Sequence, residues 1–276
     1  MTDILDRIIA TKRQEVQLAI RQRPLRDLMT AAGDAPKPRD FLAALRDSPP
    51  IRLIAEVKKA SPSKGVIRAD FDPVRIARAY ESGGASCLSV LTDESYFQGK
   101  LEYLTAVKNA VSLPVLRKDF IIHPYQVFEA RVAGADAVLL IAECLSRQEL
   151  RGLYQLTREL GMHALIELHL PSNLDNVLST GTELIGVNNR DLSTFDVSLE
   201  RSLQLRKRIP TDRVMVSESG ISSHADAQVL ESRNIQAILV GESLMRQADI
   251  RQAVVELLGG TSVTNGSKVG TDSNTA

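Results

Sequence analysis

The sequence predicts a single (β/α)8 TIM barrel, an α/β fold of eight parallel strands alternating with helices, preceded by an N-terminal helical extension. From residue 51 onward, short apolar runs alternate eight times with amphipathic segments of helical spacing. The runs consist mainly of Val, Ile, Leu and Ala, which is typical of parallel strands buried on both faces. An open, doubly wound sheet is the alternative. It is disfavoured because there are eight units and because no Gly-x-Gly-x-x-Gly follows the first strand.

The N-terminal region shows helical rather than strand patterning. A helix is predicted over residues 3–22, where apolar residues such as Ile4 and Ile8 recur among charged ones. A second, short helix is predicted in "RDFLAALRD", after a break marked by Pro36 and Pro38.

The barrel strands are predicted where the apolar runs lie: 51–57, 85–91, 114–118, 136–142, 163–168, 184–188, 213–218 and 237–241. The helices between and after them are predicted at 72–83, 101–111, 124–134, 147–160, 172–180, 198–208, 224–233 and 249–258. Several of these helices close with a glycine, which favours the left-handed conformation at a helix C-terminus: Gly84, Gly134, Gly161 and Gly181.

These patterns divide the chain into three segments. Residues 1–48 form the N-terminal helical extension, and residues 49–258 form the barrel, which is the catalytic domain. Residues 259–276 contain almost no apolar side chains, so we expect a disordered tail.

Composition excludes several classes of protein. The 276 residues are 43% hydrophobic and 25% charged, which is typical of a soluble globular protein. Thirty-four basic residues balance thirty-four acidic ones, so neither nucleic acid nor a membrane surface is expected as a partner. No signal peptide or membrane-spanning run is recognised. The two cysteines are expected to be reduced thiols, and the protein is expected to be cytoplasmic.

Polar residues follow the C-terminal end of every predicted strand, which is where barrels of this kind place their active sites. A charge at one strand end is ordinary because strand ends meet solvent. The complete set nevertheless predicts a site, and it comprises Glu56 and Lys58, Thr92 and Asp93, Lys118 and Asp119, Glu143, Glu167, Asn188 and Arg190, Glu218 and Ser219, and Gly241 through Ser243.

Lys118 and Glu167 are the clearest candidates for acid–base chemistry. In a barrel mouth, loss of water is expected to raise the pKa of a carboxyl group and to lower that of a lysine. Such shifts suit general acid and base groups near neutral pH. Two alternatives to acid–base roles stay open. Lys118 and Glu167 could form a structural ion pair, or a lysine at a strand end could form a Schiff base.

The turns after the last two strands predict a phosphate site. "SESGI" and "VGESLM" place small residues at the start of helices, where backbone N–H groups bind anions. The side chain of Glu242 is expected to point away from the phosphate. In "SYFQG", Tyr96 and Phe97 are either loop anchors or the wall of a pocket for an aromatic substrate. The four histidines share no metal-ligand spacing, and surface or core positions are expected for them.

Eight motifs, in order along the chain, resemble those of the indole-3-glycerol phosphate synthase family. They are "AEVKKASPSKG", "SVLTDESYFQG", "PVLRKDFI", "GADAVLLIA", "LIELH", "IGVNNRDL", "VSESGI" and "LVGESLM". "KASPSKG" and "GVNNRDL" are specific to that family, whereas the phosphate turns occur in other phosphate-binding barrels. The resemblance implies a carboxy-lyase of tryptophan biosynthesis. Such an enzyme converts 1-(2-carboxyphenylamino)-1-deoxyribulose 5-phosphate to indole-3-glycerol phosphate, carbon dioxide and water without a cofactor or metal.

The resemblance also implies roles for particular residues. Lys118 is the general acid that protonates the ketone oxygen, and Glu167 is the general base of the dehydration. Lys58 holds the substrate carboxylate and serves as an acid when hydroxide leaves. The rest of the implied catalytic set is Glu56, Asn188 and Ser219. Implied substrate-binding residues are Arg190, Phe97, Leu139 and Glu218, and implied phosphate-binding residues are Ser61, Gly220, Gly241 and Glu242.

Two other classes of function remain as alternatives. One is another phosphate-binding barrel enzyme, either a sugar-phosphate isomerase or a Schiff-base aldolase. The other is a non-catalytic barrel that binds a metabolite or a partner subunit. The expected partner is a small phosphorylated substrate, and the expected state is a monomer or a weak homodimer.

Overall fold

A computed structural model describes residues 4–46, 50–191 and 196–260 of the chain. The predicted boundary between extension and barrel falls at 47–49, and residues 261–276 of the predicted tail also lie outside the described residues. The division into three segments therefore stays a prediction. Among the described residues, no helix has the length and apolar composition that a bilayer span requires.

Eight parallel strands close into a barrel in chain order, which confirms the predicted fold. Each strand lies within two residues of its predicted bounds. The strands are β1 Arg52–Val57, β2 Cys87–Leu91, β3 Val115–Lys118, β4 Ala137–Ile141, β5 His163–Leu168, β6 Leu184–Asn188, β7 Val214–Glu218 and β8 Ala237–Val240.

The helices surround this barrel and extend it at the N-terminus. They are α1 Ile4–Gln22, α2 Leu25–Asp34, α3 Ala43–Arg46, α4 Pro73–Gly83, α5 Glu94–Phe97, α6 Leu101–Ala110, α7 Pro124–Ala133, α8 Arg147–Glu159, α9 Leu174–Leu178, α10 Glu200–Arg206, α11 His224–Glu231, α12 Glu242–Met245 and α13 Ile250–Leu257. The predicted C-terminal glycines are confirmed as left-handed residues; Gly84, for example, ends α4 with a φ of 100°.

The extension differs from its prediction in two ways. Helix α2 was not predicted. Pro24 directly precedes it, at a position where proline is tolerated. The predicted helix in "RDFLAALRD" is only the single turn α3. Its start is fixed by Asp40, whose carboxylate accepts a hydrogen bond from the backbone N–H of Ala43 at 2.9 Å. Phe41 and Leu42, between Asp40 and the helix, therefore form a turn.

The core forms two layers, one inside the barrel and one between the strands and the helices. Phe41 and Leu45 of the extension pack with the apolar side chains inside the barrel, and neither is exposed to solvent. The thiol of Cys87, at the start of β2, lies 3.8 Å from the carbonyl oxygen of Phe41. The extension thus closes the end of the barrel at which the strands begin.

Strand register brings the predicted polar residues to the opposite rim. Leu91 pairs with Lys118 at the ends of β2 and β3, and Ile141 pairs with Glu167 between β4 and β5. Asn188 pairs with Glu218 between β6 and β7. A hairpin after β1, which was not predicted, pairs Ala60–Ser61 with Gly65–Val66 at the same rim.

Helix α1 is held across this rim by buried ion pairs. The ammonium group of Lys12 lies 2.9 Å from Asp93 Oδ2, 2.9 Å from Asp119 Oδ1 and 2.7 Å from Glu15 Oε2. Arg117 supplies a second cation to Asp119 at 3.2 Å. The side chain of Lys12 is 6% exposed, so the pairing occurs largely out of water. Helix α1 is therefore fixed to residues that follow β2 and β3.

The two aspartates of this cluster titrate differently. Burial alone would raise the pKa of Asp119, but Arg117 and Lys12 outweigh burial and lower it to about 2. Burial raises the pKa of Asp93, and Lys12, its one cationic partner among the described residues, does not outweigh burial. The contribution of Asp119 to stability is thus complete above its unfolded pKa of ~4 and is lost as the pH falls through the folded value.

Replacing Lys12 with methionine is expected to destabilise the protein strongly. The Lys12→Met change leaves Asp93 and Asp119 buried with less positive charge, and breaking such a cluster costs roughly 3–5 kcal/mol. The measurement is the free energy of unfolding in urea. Arg13→Met is the matched control because Arg13 is exposed on the same helix, and its effect should stay within about 0.5 kcal/mol. Equal stability of the two variants would contradict the prediction.

Candidate active site

A cavity of about 520 Å³ opens at the C-terminal ends of the strands. All of the site residues that the family resemblance implies line it: Glu56, Lys58, Ser61, Phe97, Lys118, Leu139, Glu167, Asn188, Arg190, Glu218, Ser219, Gly220, Gly241 and Glu242. Of the other predicted strand-end residues, Asp119 and Ser243 line the cavity, whereas Thr92, Asp93 and Glu143 do not. The lining also includes Ile4, Leu5 and Ile8 of helix α1, so the extension roofs this cavity as well as closing the other end of the barrel.

Lys118 lies at the centre of the charged part of the cavity. Its ammonium nitrogen is 3.4 Å from Glu218 Oε2, 3.5 Å from Glu167 Oε2 and 3.7 Å from Glu56 Oε1. These carboxyl groups come from β7, β5 and β1, and each side chain is at most 5% exposed. A second lysine, Lys58, contacts Glu56 Oε2 at 2.7 Å. Glu56 therefore bridges the two lysines.

The predicted directions of the pKa shifts are wrong for both acid–base candidates. Burial lowers the pKa of Lys118 as expected, but the carboxylates, Glu167 foremost, outweigh it and raise the pKa above its usual range. Burial likewise raises the pKa of Glu167, but Lys118 and a neighbouring histidine outweigh it and hold the pKa below its usual range. Opposite charges at contact distance thus dominate over loss of water. The open alternative of a Lys118–Glu167 ion pair matches this geometry.

The pKa of Glu218 is shifted in the opposite direction to that of Glu167. Burial, and next the charge of Glu167, raise its pKa well above the usual range. Both oxygens of Glu218 and the Oε2 atom of Glu167 are buried, and none accepts a well-formed hydrogen bond from the described part of the chain. Two adjacent carboxyl groups avoid repulsion when one of them keeps its proton. Glu218 therefore holds a proton more readily than Glu167 does.

Two polar residues that the sequence interpretation left aside support the cavity wall. The imidazole of His169 lies 2.7 Å from Glu167 Oε1, although a surface or core position was expected for it. Asn189 is fully buried, and its amide donates to the carbonyl of Ser219 at 3.0 Å. Ser219 has a positive φ of 68°, so Asn189 stabilises an unfavourable backbone conformation. Only the position of Asn189 between two predicted site residues could have drawn attention to it.

The opposite side of the cavity contains the predicted phosphate turns. Ser219 and Gly220 both have positive φ, and Gly241 immediately precedes the short helix α12. The hydroxyl of Ser61 is buried and has no hydrogen-bond partner among the described residues. The carboxylate of Glu242 accepts two hydrogen bonds from Arg246 at 3.1–3.2 Å. Helix starts and unpaired donors suit an anion at this end.

An apolar wall faces the charged residues. The rings of Phe97 and Phe120 lie 6.1 Å apart between centroids, and both line the cavity together with Leu139. A flat apolar ring can pack here while charged groups contact the lysines. Within residues 4–46, 50–191 and 196–260, no group of three or more His, Cys, Asp or Glu residues is arranged to hold a metal ion.

Gly186 in β6 leaves the space that Glu218 occupies. A Cβ atom at this position would collide with Glu218 Oε1 and would approach Leu165 Cδ1 to 3.3 Å. The absence of a side chain at Gly186 is therefore a condition for the carboxyl cluster.

The Gly186→Ala variant is expected to stay folded but to lose most of its kcat in the ring closure that the resemblance implies. The added methyl group displaces Glu218, and with it the Lys118 ammonium group. Gly152→Ala is the control, since nothing lies within 4 Å of the corresponding Cβ on helix α8. That exchange should leave kcat unchanged and stabilise the helix by roughly 0.5–1 kcal/mol. Steady-state kinetics and urea unfolding test both variants; an unchanged kcat for Gly186→Ala would contradict the prediction.

Comparisons with known proteins agree on one family. The profile described as indole-3-glycerol phosphate synthase matches residues 5–257. The chain is 55% identical to the indole-3-glycerol phosphate synthase of Rhodopirellula baltica over 92% of this chain and 98% of that one. It is 52% identical to the protein of the same name from Geobacillus thermodenitrificans, over 93% and 97% of the two chains.

More distant solved structures share the fold alone. KGPDC from Streptococcus mutans superposes with a TM-score of 0.58 at 10% identity, over 74% of this chain and 94% of that one. Thiamine phosphate pyrophosphorylase from Pyrococcus furiosus gives a TM-score of 0.57 at 15% identity, over 75% and 93%. The profile match and the two close relatives each span nearly the whole described chain. This chain therefore belongs to the indole-3-glycerol phosphate synthase family.

Proposed function

We propose that Lys118 is the general acid and Glu167 the general base of the reaction this chain catalyses. The chain is an indole-3-glycerol phosphate synthase, a carboxy-lyase of tryptophan biosynthesis that acts on a small phosphorylated substrate. The observation that carries the assignment of roles is the contact of the Lys118 ammonium group with three buried carboxyl groups. This arrangement places a proton donor and an ionised acceptor side by side in the cavity.

Ring closure requires a proton at the ketone oxygen as the aromatic carbon attacks. Lys118 is fully protonated because its pKa is raised, so it can donate at neutral pH. A raised pKa also makes it a weak acid in the free enzyme. A substrate oxygen that displaces one of the carboxylates from Lys118 lowers this pKa and makes the transfer easier.

Decarboxylation and dehydration use the second lysine and the base. Lys58, held at 2.7 Å by Glu56, binds the substrate carboxylate until carbon dioxide leaves and aromaticity returns. Glu167 then takes a proton from carbon while hydroxide departs with a proton from Lys58, so that the products are a carbon–carbon double bond and water. Asn188 donates to Glu167 Oε1 at 3.2 Å and orients the base.

Substrate binding is proposed at the two remaining sides of the cavity. Phe97 and Leu139 pack on the aromatic ring, and Arg190 and Glu218 contact the polar part of the substrate. Ser219 belongs to the turn beside them. The phosphate group is proposed to bind Ser61 and the backbone N–H groups at Gly220, Gly241 and Glu242. The pairing of the Glu242 carboxylate with Arg246 supports this, because it directs the negative charge toward a cation.

We further propose that the chain acts in the cytoplasm as a monomer or weak homodimer. Both cysteines are free, as expected in a reducing compartment.

The purified protein is expected to form indole-3-glycerol phosphate from 1-(2-carboxyphenylamino)-1-deoxyribulose 5-phosphate without an added cofactor. Lys118→Ala and Glu167→Gln should each lower kcat by roughly 10²-fold or more, the usual effect of removing a general acid or base. Lys59→Ala is the matched control. Lys59 follows β1 next to Lys58, but it is absent from the cavity lining. The measurement is indole fluorescence under saturating substrate.

Near-normal turnover in Lys118→Ala or Glu167→Gln would refute the role assigned to that residue. A Schiff-base aldolase is tested by borohydride, which would trap substrate on Lys118. We expect no trapping, because a protonated lysine among carboxylates is not nucleophilic.

A further inference from the structure

His169 contacts the proposed base from the residue that follows β5. Its Nε2 atom lies 2.7 Å from Glu167 Oε1, and its Nδ1 atom lies 3.3 Å from the carbonyl oxygen of Arg190. The backbone N–H of His169 donates to Glu143 Oε1 at 2.9 Å. The side chain is 5% exposed, so water cannot readily replace these partners. The ring is thus fixed in position and faces an acceptor at each nitrogen.

This pattern of acceptors determines where the protons are. A neutral imidazole carries one N–H group and can donate to only one of these two oxygens, whereas an imidazolium donates to both. Both contacts are hydrogen bonds only when the ring carries both protons or when Glu167 is itself protonated. Glu167 also has the Lys118 ammonium group 3.5 Å from its other oxygen and the Asn188 amide 3.2 Å from the shared one. These neighbours favour an ionised carboxylate, so the second proton belongs to the ring.

The charged groups around the ring agree with this assignment. Burial lowers the pKa of His169, but Glu167, Glu143 and the carbonyl of Arg190 outweigh burial and raise it. The Arg190 side chain lines the same cavity, and Lys118 lies beyond Glu167. Glu167 therefore contacts the imidazole directly, and Glu143, which accepts a hydrogen bond from the backbone N–H of His169, acts on the ring through its charge.

We propose that His169 is a positioning residue that stays an imidazolium and holds Glu167 by its Oε1 atom, so that Oε2 takes the proton from the substrate. This inference rests on the proposed role of Glu167 as the base. Oε2 accepts no well-formed hydrogen bond from the described residues and faces Lys118, whereas Oε1 is engaged by both His169 and Asn188. The base is thereby fixed in one orientation and kept ionised. During the reaction the proton moves from carbon to Oε2, and the imidazolium keeps both of its protons.

The protonation state of His169 can be measured without an activity assay. Nitrogen-15 labelling of the histidine rings gives separate NMR titrations for the four histidines, assigned with single His→Gln variants. In the wild-type protein, the His169 signal is expected to remain that of an imidazolium well above pH 6.5. Glu167→Gln should lower the titration midpoint by roughly one unit or more, since an opposite charge at contact distance is removed. A wild-type midpoint at or below pH 6.5 would overturn the proposal.

The pH profile of kcat tests the effect on the base. His169→Gln keeps an N–H donor but removes the charge, so the carboxylate loses one cation and its pKa rises. The acidic limb of kcat is therefore expected to move to higher pH by roughly one unit, with KM nearly unchanged. His169→Leu also removes the donor and should lower kcat at every pH. A profile of His169→Gln that superimposes on the wild type contradicts the proposal.

His163→Gln is the matched control. His163 lies at the opposite end of β5 and contacts Asp40 at 3.2 Å, away from the cavity, so its profile should match the wild type. The two tests separate this inference from the assignment of the base. If Glu167→Gln retains kcat, the base is misassigned, whereas the NMR midpoint of His169 still reports whether the imidazolium exists.

Discussion

Burying the Lys118 ammonium group at the mouth of the barrel is the constraint on which the rest of the site depends. A single buried cation is costly unless it is paired, and here three carboxyl groups from β1, β5 and β7 surround it. Three carboxyl groups near one lysine would in turn repel each other. Lys58 contacts Glu56, the imidazole of His169 contacts Glu167, and the pKa of Glu218 is raised well above its usual range. When Glu218 is protonated, the charges of Lys118 and Lys58 balance those of Glu56 and Glu167.

The fold was predictable because its determinants are local. Each strand is an apolar run of four to seven residues bounded by turns, and each of these runs became a strand of the barrel. The position of the candidate site was also predictable. In a (β/α)8 barrel the C-terminal ends of all eight strands meet at one rim, and the active site lies there. Helix α2 was not predicted, although Pro24 directly precedes it and proline is compatible with a helix start.

The electrostatics of the site were not predictable in the same way. The direction of the Lys118 shift depends on carboxyl groups that are 49 to 100 residues away in the sequence, and the strand register alone decides that they are within 4 Å. The sequence interpretation gave burial the most weight, but the charges of the neighbouring groups together outweigh it. His169 gave no signal because a single histidine after a strand has no partner spacing to recognise.

The position of Lys12 has a consequence for the order in which the molecule forms. Lys12 leaves the ribosome early, but its partner Asp119 is synthesised roughly a hundred residues later, so the nascent helix α1 has nothing to dock on. Long-range contacts of this kind form late because the intervening chain must first be ordered. The roof of the cavity is thus made before the residues on which it docks. Until it docks, Asp93 and Asp119 lack the Lys12 ammonium group.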